Sequence, residues 1–363
     1  MRPHVPALTS VRFFAALYVL LVHFGTHIFA GTPLNGFAEL GSTGVSMFFV
    51  LSGFILTYNY AGRPMAAGAF WWARFARIWP VYLVSLAFSL PAYWSRMRNY
   101  LEAYGDSPWH LAIRYLTATQ AWTFDGDAIR MTAALNNPSW SISTEVGFYL
   151  LFPLLLPALW RLSTRTFLTV AAVGWVCTTL PAWLLSYGLT LGNVNEEVVY
   201  KMPVFRLGEF LLGMAAATVF IRHPEEGRLR RLGWPAWALA CAFLVAGLAI
   251  GLPRRALVSG ALGPVFALVV LTLAAGGGPS RPLSWRPLVF LGEASYAFYL
   301  AHYPVALYID HFVVPRDTNA HFLLTLSVTL CASVVAYVAV EKPTRTWLRR
   351  LVPARRGAVP IAR

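Results

Sequence analysis

An arginine and a histidine interrupt one strongly apolar run near the start of the chain, "TSVRFFAALYVLLVH". Arg12 and His23 are eleven residues apart, so at about 100° per residue they share one helix face, roughly 16 Å apart along the axis. A buried charge without a partner is costly, so such residues commonly have a partner or a task. Histidine can act as a general base, and arginine can orient an anionic group. The structural alternative is that Arg12 extends to an interface and His23 packs in the core.

A second histidine follows the first after one helical turn. In "HFGTH", His23 and His27 have the i, i+4 spacing of two metal ligands on a helix. No glutamate follows the first histidine, and no acidic or cysteine residue is nearby. We therefore predict no metal site.

Two arginines in "WWARFARIWPVY", Arg74 and Arg77, have the i, i+3 spacing that places them on one helix face. Paired guanidinium groups form the forked hydrogen bonds that bind phosphates. The alternative is that they anchor the helix at a membrane surface, as basic residues commonly do. Earlier in the chain, "FFVLSGF" contains Ser52 and Gly53, small residues of the kind that let helices approach closely.

Three later motifs place polar residues inside or at the ends of apolar runs, where a carboxylate is usually paired or lines a polar cavity. These residues are Trp140, Ser141 and Glu145 in "SWSISTE", Ser295, Tyr296 and His302 in "SYAFYLAHYPV", and Glu341 in "VEKPTR". A carboxylate at a helix C-terminus is unfavourable for the helix dipole. We therefore expect Glu341 to pair with Arg74 or Arg77.

The elements that carry these residues must be membrane-spanning helices. Of the 363 residues, 58% are hydrophobic and only 12% are charged, which exceeds the apolar share of soluble domains. Apolar runs of about 20 residues, the length that crosses a bilayer, recur along the chain. We predict an all-α, polytopic integral membrane protein with about ten transmembrane helices and an interfacial or re-entrant piece at Trp109–Trp122. The predicted spans are 8–30, 37–60, 71–95, 139–160, 166–187, 203–221, 234–251, 256–275, 288–313 and 320–341.

The net charge of +14 does not indicate a nucleic-acid partner, because most basic residues fall in loops on one side of the predicted bilayer. Cytoplasmic loops collect Lys and Arg, so we predict that both termini are cytoplasmic. We expect residues 1–345 to form a single transmembrane domain and residues 346–363 to form a basic cytoplasmic tail.

In order along the chain, these motifs resemble those of the membrane-bound acyltransferase 3 family, which O-acylates polysaccharides, lipid-linked sugars and some antibiotics. The matching elements are the family's Arg-x10-His pairing, FFxxSGF, RxxR, WSLxxE, SYxxYLxHxP and ExPxR. The family commonly has two adjacent carboxylates after the Trp-Ser element, whereas "TEVGF" has only Glu145. The chain resembles the stand-alone form of the family, without an appended SGNH hydrolase-like domain.

The resemblance implies an acyl-CoA donor, usually acetyl-CoA, and transfer across the bacterial inner membrane to a hydroxyl on the outer side. Arg74 and Arg77 would then hold the CoA phosphates, with Glu341 fixing the arginines. The pantetheine arm would pass near Ser52 and Gly53. His23 would act as general base or carry the acyl group, and Arg12 would orient donor groups or the developing oxyanion. Further candidates for substrate contact are Trp140, Ser141, Glu145, Ser295, Tyr296 and His302.

We therefore predict an O-acetyltransferase acting on a cell-surface or exopolysaccharide sugar, at its lipid-linked stage. The acceptor determinants are expected in the 96–138 loop. One alternative keeps the chemistry and changes the acceptor to a small molecule such as a macrolide. Another is a transporter or flippase that moves its substrate without consuming acetyl-CoA. The oligomeric state stays open.

Overall fold

The computed structural model describes residues 2–32, 34–224 and 226–351, and within these ranges the chain is helical with no β-strand. Each of the ten predicted spans overlaps one main helix. These helices are α1 Pro6–Phe24, α2 Thr43–Tyr60, α3 Ala67–Tyr104, α4 Trp140–Trp160, α5 Thr164–Ser186, α6 Pro203–Arg222, α7 Gly233–Ala249, α8 Gly263–Ala274, α9 Arg286–Phe312 and α10 Asn319–Ala336.

In the part of the chain that the structure describes, seven helices are long and apolar enough to cross a membrane. The number is eight if the bent pair of Arg254–Ala261 and α8 is counted as one span. The helices of the other two predicted spans, α7 and α9, are not among these eight. α7 has only 17 residues, and the 27-residue α9 carries several polar side chains. The all-α, polytopic fold is confirmed. The cytoplasmic location of the termini stays a prediction. The predicted tail, 346–363, is described only as far as residue 351, and its remaining residues lie outside the described ranges.

Several predicted boundaries differ from the structure, and two of them show why. The first span, predicted at 8–30, ends at Phe24, because Gly25 ends the helix and a 3-10 turn follows. The third span, predicted at 71–95, is part of the 38-residue α3, which continues through Pro80 and Pro91. Prolines are tolerated in membrane helices where neighbouring groups satisfy the freed backbone.

The stretch Trp109–Trp122 starts with the short helix Pro108–Leu116, which Ser107 caps by accepting a hydrogen bond from the His110 amide. One face of this helix is buried, whereas the Trp109 side chain is exposed. Such a short amphipathic helix cannot span a bilayer. The prediction of an interfacial piece stays compatible with this geometry.

The centre of the fold is formed by α1, α2, α6 and α9. α1 packs against α9 and α2, and α2 packs along α6. Where α2 and α6 cross, Gly53 and Gly213 face each other's helix backbone. A Cβ atom at Gly53 would overlap the Phe210 carbonyl oxygen, and one at Gly213 would overlap that of Val50. The two helices can therefore approach this closely only with glycine at both positions.

We expect Gly213→Ala to lower the free energy of unfolding by about 1–3 kcal/mol, because the added methyl group must push the two helices apart. Gly68, in the first turn of α3, provides the matched control, since nothing lies within 4 Å of its Cβ position. Gly68→Ala should leave stability unchanged or raise it by up to about 1 kcal/mol. Unfolding of the purified protein in mixed micelles measures both changes. Equal stability of the two variants would contradict the close crossing.

A break in the helical backbone precedes α8. The segment Leu257–Ala261 contains Ser259 and Gly260 in non-helical conformations, with a φ of 104° at Gly260, a backbone angle that favours glycine. The freed carbonyl of Gly260 accepts a hydrogen bond of 2.8 Å from the Trp175 indole. Irregular backbone at membrane depth requires such a partner, and this break brings Arg254 and Arg255 to a pocket described below.

Candidate active site

Of three cavities that the described residues line, the one with the largest volume, about 460 Å³, opens beside the N-terminal end of α1. We name it the arginine chamber, because seven arginines line it. They are Arg2, Arg12, Arg63, Arg74, Arg77, Arg345 and Arg349. Burial and repulsion from Arg63 lower the pKa of the Arg2 guanidinium. A cavity with this excess of positive charge favours a ligand that carries several negative charges.

The two predicted clamp arginines lie in this chamber, in different surroundings. Arg77 forms an ion pair with the buried Glu341, which the short π-helical segment Tyr337–Glu341 directs inward. Arg74 lies against the rings of Phe70 and Tyr149 and lines the chamber, where its guanidinium group has no carboxylate partner among the described residues. Glu341 therefore holds Arg77 in place, while Arg74 keeps donor capacity for an anionic ligand.

A smaller cavity of about 90 Å³, the middle chamber, continues from the arginine chamber and shares Arg12 and Arg74 with it. Its centre is polar, since Ser52 donates a hydrogen bond of 2.8 Å to Glu145, which also accepts one from the Tyr149 hydroxyl. Further lining residues are Ser141, Ser295, Tyr296 and Tyr299.

The third cavity, the His23 pocket, has a volume of about 270 Å³ and lies at the far end of α1. The His23 Nδ1 atom is 2.9 Å from Nε2 of the buried His302. The Trp140 and Tyr200 rings form one wall, with their centroids 4.7 Å apart. Charged side chains form another part of the lining, namely Glu197, Lys201, Arg254 and Arg255.

These charges are paired, and the sequence interpretation missed them. Lys201 is 2.8 Å from Glu197, Arg255 is 3.0 Å from Glu197 and 3.3 Å from Glu196, and Arg254 is 3.7 Å from Glu39. The i, i+4 spacing of Glu197 and Lys201 was the available signal. Because each charged group of the lining has an ion-pair partner, the pocket suits an uncharged ligand rich in hydroxyl groups.

The sequence interpretation also missed a fully buried ion pair on α6. Arg206 and Glu209 are 0% and 1% exposed, and their closest contact is 2.7 Å. The guanidinium group also donates to the Ser46 hydroxyl and to the Tyr200 carbonyl oxygen. Their i, i+3 spacing inside an apolar run was the signal that could have indicated the pair.

The structure distributes the predicted site residues over all three cavities. Arg12 lines two of them, and His23, on the same helix, lines the third together with Trp140. Three of the predicted site residues line none of these cavities, namely Gly53, Glu341 and His302. Gly53 contacts α6, as described above. His27 lies beyond the end of α1, so the helical metal-ligand geometry does not form, and the described residues contain no group of three or more His, Cys, Asp or Glu arranged to hold a metal.

Fold and cavities together define a polytopic membrane protein with one central ionisable helix, a cationic chamber at one end of it and a histidine pocket at the other. A family model described as an acyltransferase domain matches residues 5–338. The chain therefore belongs to the acyltransferase 3 family of integral membrane enzymes, and it is an enzyme that transfers acyl groups.

Among its relatives, "Acyltransferase MdmB" of Streptomyces mycarofaciens is 30% identical over 96% of this chain and 94% of its own length. "Putative peptidoglycan O-acetyltransferase YrhL" of Bacillus subtilis (strain 168) is 26% identical over 94% of this chain and 55% of its own. "O-acetyltransferase OatA" of Staphylococcus aureus (strain NCTC 8325 / PS 47) is 24% identical over 94% and 57%. The chain thus spans little more than half of the last two proteins. No solved structure matches the chain significantly.

Proposed function

We propose that this enzyme transfers an acetyl group from cytoplasmic acetyl-CoA to a hydroxyl of a cell-surface or exopolysaccharide sugar, at its lipid-linked stage, in the bacterial inner membrane. The observation that carries the proposal is that one helix, α1, lines all three cavities. Its Arg12 lines the arginine chamber and the middle chamber, and its His23 lines the third cavity. One helix thereby links a site suited to a polyanionic donor with a site suited to an uncharged acceptor.

The donor half of the proposal rests on the arginine chamber. CoA carries several phosphate charges, and forked guanidinium groups bind phosphates well. Arg74 supplies a free donor and Arg77 a fixed one. The pantetheine arm extends through the middle chamber past Ser52 and reaches toward His23, roughly 16 Å beyond Arg12 along α1.

The acceptor half rests on the His23 pocket. Its paired charges and hydrogen-bonding groups suit an uncharged polyol, and the rings of Trp140 and Tyr200 offer an apolar surface for a sugar face. Two relatives are named as O-acetyltransferases, one of them for peptidoglycan. These names support a carbohydrate or glycolipid acceptor for this chain.

In the proposed step, one bond forms, one bond breaks and one proton is transferred. The acceptor oxygen bonds to the acyl carbon, the bond from this carbon to the CoA sulfur breaks, and the His23 ring takes the hydroxyl proton. Arg12 orients the donor where its acyl arm enters the middle chamber, because roughly 16 Å along α1 separate Arg12 from the proton transfer at His23. The CoA thiolate leaves toward the arginine chamber and takes a proton from water, and His23 returns its own proton to water.

The test uses purified protein in lipid nanodiscs with radiolabelled acetyl-CoA. Three acceptors are offered in parallel: a polyprenyl-linked saccharide, the free saccharide and a macrolide. Label in the lipid-linked saccharide supports the proposal. Label only in the macrolide moves the function to small-molecule acylation. In a separate assay, the protein is reconstituted in liposomes. Movement of the glycolipid across their membrane without consumption of acetyl-CoA would show that the protein is a transporter and contradict the proposed acyl transfer.

In the same assay, we expect Arg74→Gln to raise the KM for acetyl-CoA by roughly 10- to 100-fold, because a hydrogen bond to a charged group contributes about 1.5–3 kcal/mol. Arg98→Gln is the matched control, since Arg98 lies on the same helix with its side chain exposed. That variant should keep the wild-type KM. An unchanged KM in Arg74→Gln would place the donor phosphates elsewhere.

A further inference from the structure

The two histidines that meet behind the His23 pocket form a directional chain of hydrogen bonds. His302 Nδ1 is 2.6 Å from the Tyr299 carbonyl oxygen, and His302 Nε2 is 2.9 Å from His23 Nδ1. The two ring planes are nearly parallel, at 6° to each other. His302 is completely buried, so neither of its nitrogens can exchange this partner for water.

The carbonyl group fixes the direction of the chain. A carbonyl oxygen only accepts, so His302 Nδ1 must carry the proton of that hydrogen bond. In a neutral imidazole, the other nitrogen is then unprotonated and accepts. His302 Nε2 therefore accepts a proton from His23 Nδ1, and His23 Nε2 is the nitrogen with the free lone pair.

The neutral state of His302 follows from its surroundings. Within the described ranges, no carboxylate bonds to either ring, and the Arg316 guanidinium donates to the His23 carbonyl oxygen at 3.2 Å. A buried positive charge without an acidic partner is unfavourable, and a neighbouring guanidinium makes it more so. The other charged groups that face the pocket are Glu197, Lys201, Arg254 and Arg255, and they are paired as described above.

The free nitrogen of His23 is accessible. No described residue forms a hydrogen bond with His23 Nε2, and this atom is not among the enclosed polar atoms that lack a partner. His23 itself is only half-buried and lines the pocket. An acceptor hydroxyl in the pocket can therefore reach the nitrogen that holds the lone pair.

We propose that His302 is a positioning residue that holds His23 in the Nδ1-protonated tautomer, so that His23 Nε2 is the base that takes the acceptor proton. This proposal rests on the proposed function for its catalytic consequence, but the tautomer is a property of the unliganded protein. It assigns the reactive lone pair of His23 to a particular nitrogen atom. His302 contacts no substrate and acts through His23.

The tautomer is measured directly by nitrogen NMR on the protein with 15N-labelled histidine, where protonated and unprotonated ring nitrogens have well-separated shifts. His23→Gln identifies the His23 signals. We expect His23 Nδ1 to be protonated and Nε2 unprotonated in the wild type. In His302→Leu, which removes the acceptor, the His23 signals should move to a mixture of tautomers. A wild-type His23 that is protonated on Nε2 would overturn the proposal without any variant.

Conservative rescue separates positioning from packing. In His302→Gln, the side-chain amide oxygen can accept the His23 Nδ1 proton, so this variant should retain the wild-type tautomer and most of the kcat. In His302→Leu, we expect kcat to fall by about 100-fold with an unchanged KM for acetyl-CoA, because the base is no longer held in one tautomer. Equal losses in both variants would show a packing role and contradict the proposal.

The two hypotheses fail separately. If the wild type transfers no acetyl group but His23 loses its tautomer in His302→Leu, the proposed function is wrong and the positioning role stands. If transfer occurs and the tautomer does not depend on His302, the positioning role is wrong and the function stands.

Discussion

Replacing His23 by alanine should lower kcat for acetyl transfer by about 100- to 10,000-fold, the range that a positioned general base contributes. The KM for acetyl-CoA should change little, because the donor phosphates are proposed to bind in the arginine chamber, roughly 16 Å away along α1. The variant should fold normally, since the His23 side chain is only half-buried and faces a cavity. Initial rates with radiolabelled acetyl-CoA and the lipid-linked saccharide measure both constants.

His311→Ala is the matched control for this prediction. His311 is an exposed histidine in the last turn of α9, nine residues after His302, and it lines none of the three cavities. Its variant should keep wild-type kcat. If the His23→Ala protein retained more than a tenth of the wild-type kcat, His23 would not take part in the chemical step. This result would not bear on the assignment of the donor site.

The second large effect concerns stability. Glu209→Leu leaves the Arg206 guanidinium buried without its carboxylate, and removing one partner of a buried ion pair costs about 3–5 kcal/mol. Replacing both residues, in Arg206→Met with Glu209→Leu, removes the uncompensated charge. We therefore expect the double variant to be more stable than the Glu209→Leu variant. Unfolding of the wild type, Arg206→Met, Glu209→Leu and the double variant in mixed micelles gives the four free energies of a double-mutant cycle.

The matched control for this cycle is the exposed pair of Arg98 and Glu102 on α3, whose charged atoms are 3.8 Å apart. Removing one partner of this pair should cost at most about 1 kcal/mol, because solvent screens exposed charges. If the losses from Arg206→Met and Glu209→Leu were simply additive, the two residues would not depend on each other as the buried geometry requires.

Much of the architecture follows from the sequence alone. Apolar runs of bilayer length are a local property, so the all-α polytopic fold and the approximate positions of the helices could be predicted. The order of the polar motifs inside those runs indicated the acyltransferase family, which the family model confirms. The ends of helices were less certain, as α1 and α3 show, because Gly25, Pro80 and Pro91 act on the helix only in the context of their neighbours.

Only the tertiary structure decided which polar groups meet. His23 and His302 are 279 residues apart, and Arg77 and Glu341 are 264 residues apart, so no local pattern specifies their contact. The motifs predicted Arg74 or Arg77 as the partner of Glu341, and the fold selects Arg77. Gly53 appears beside Ser52 in one motif, yet adjacent residues point to different helix faces, so only Ser52 reaches a cavity. The periodicity of α1 determined that Arg12 and His23 share a face, whereas the packing of α2, α6 and α9 around that face determined which chambers they enter.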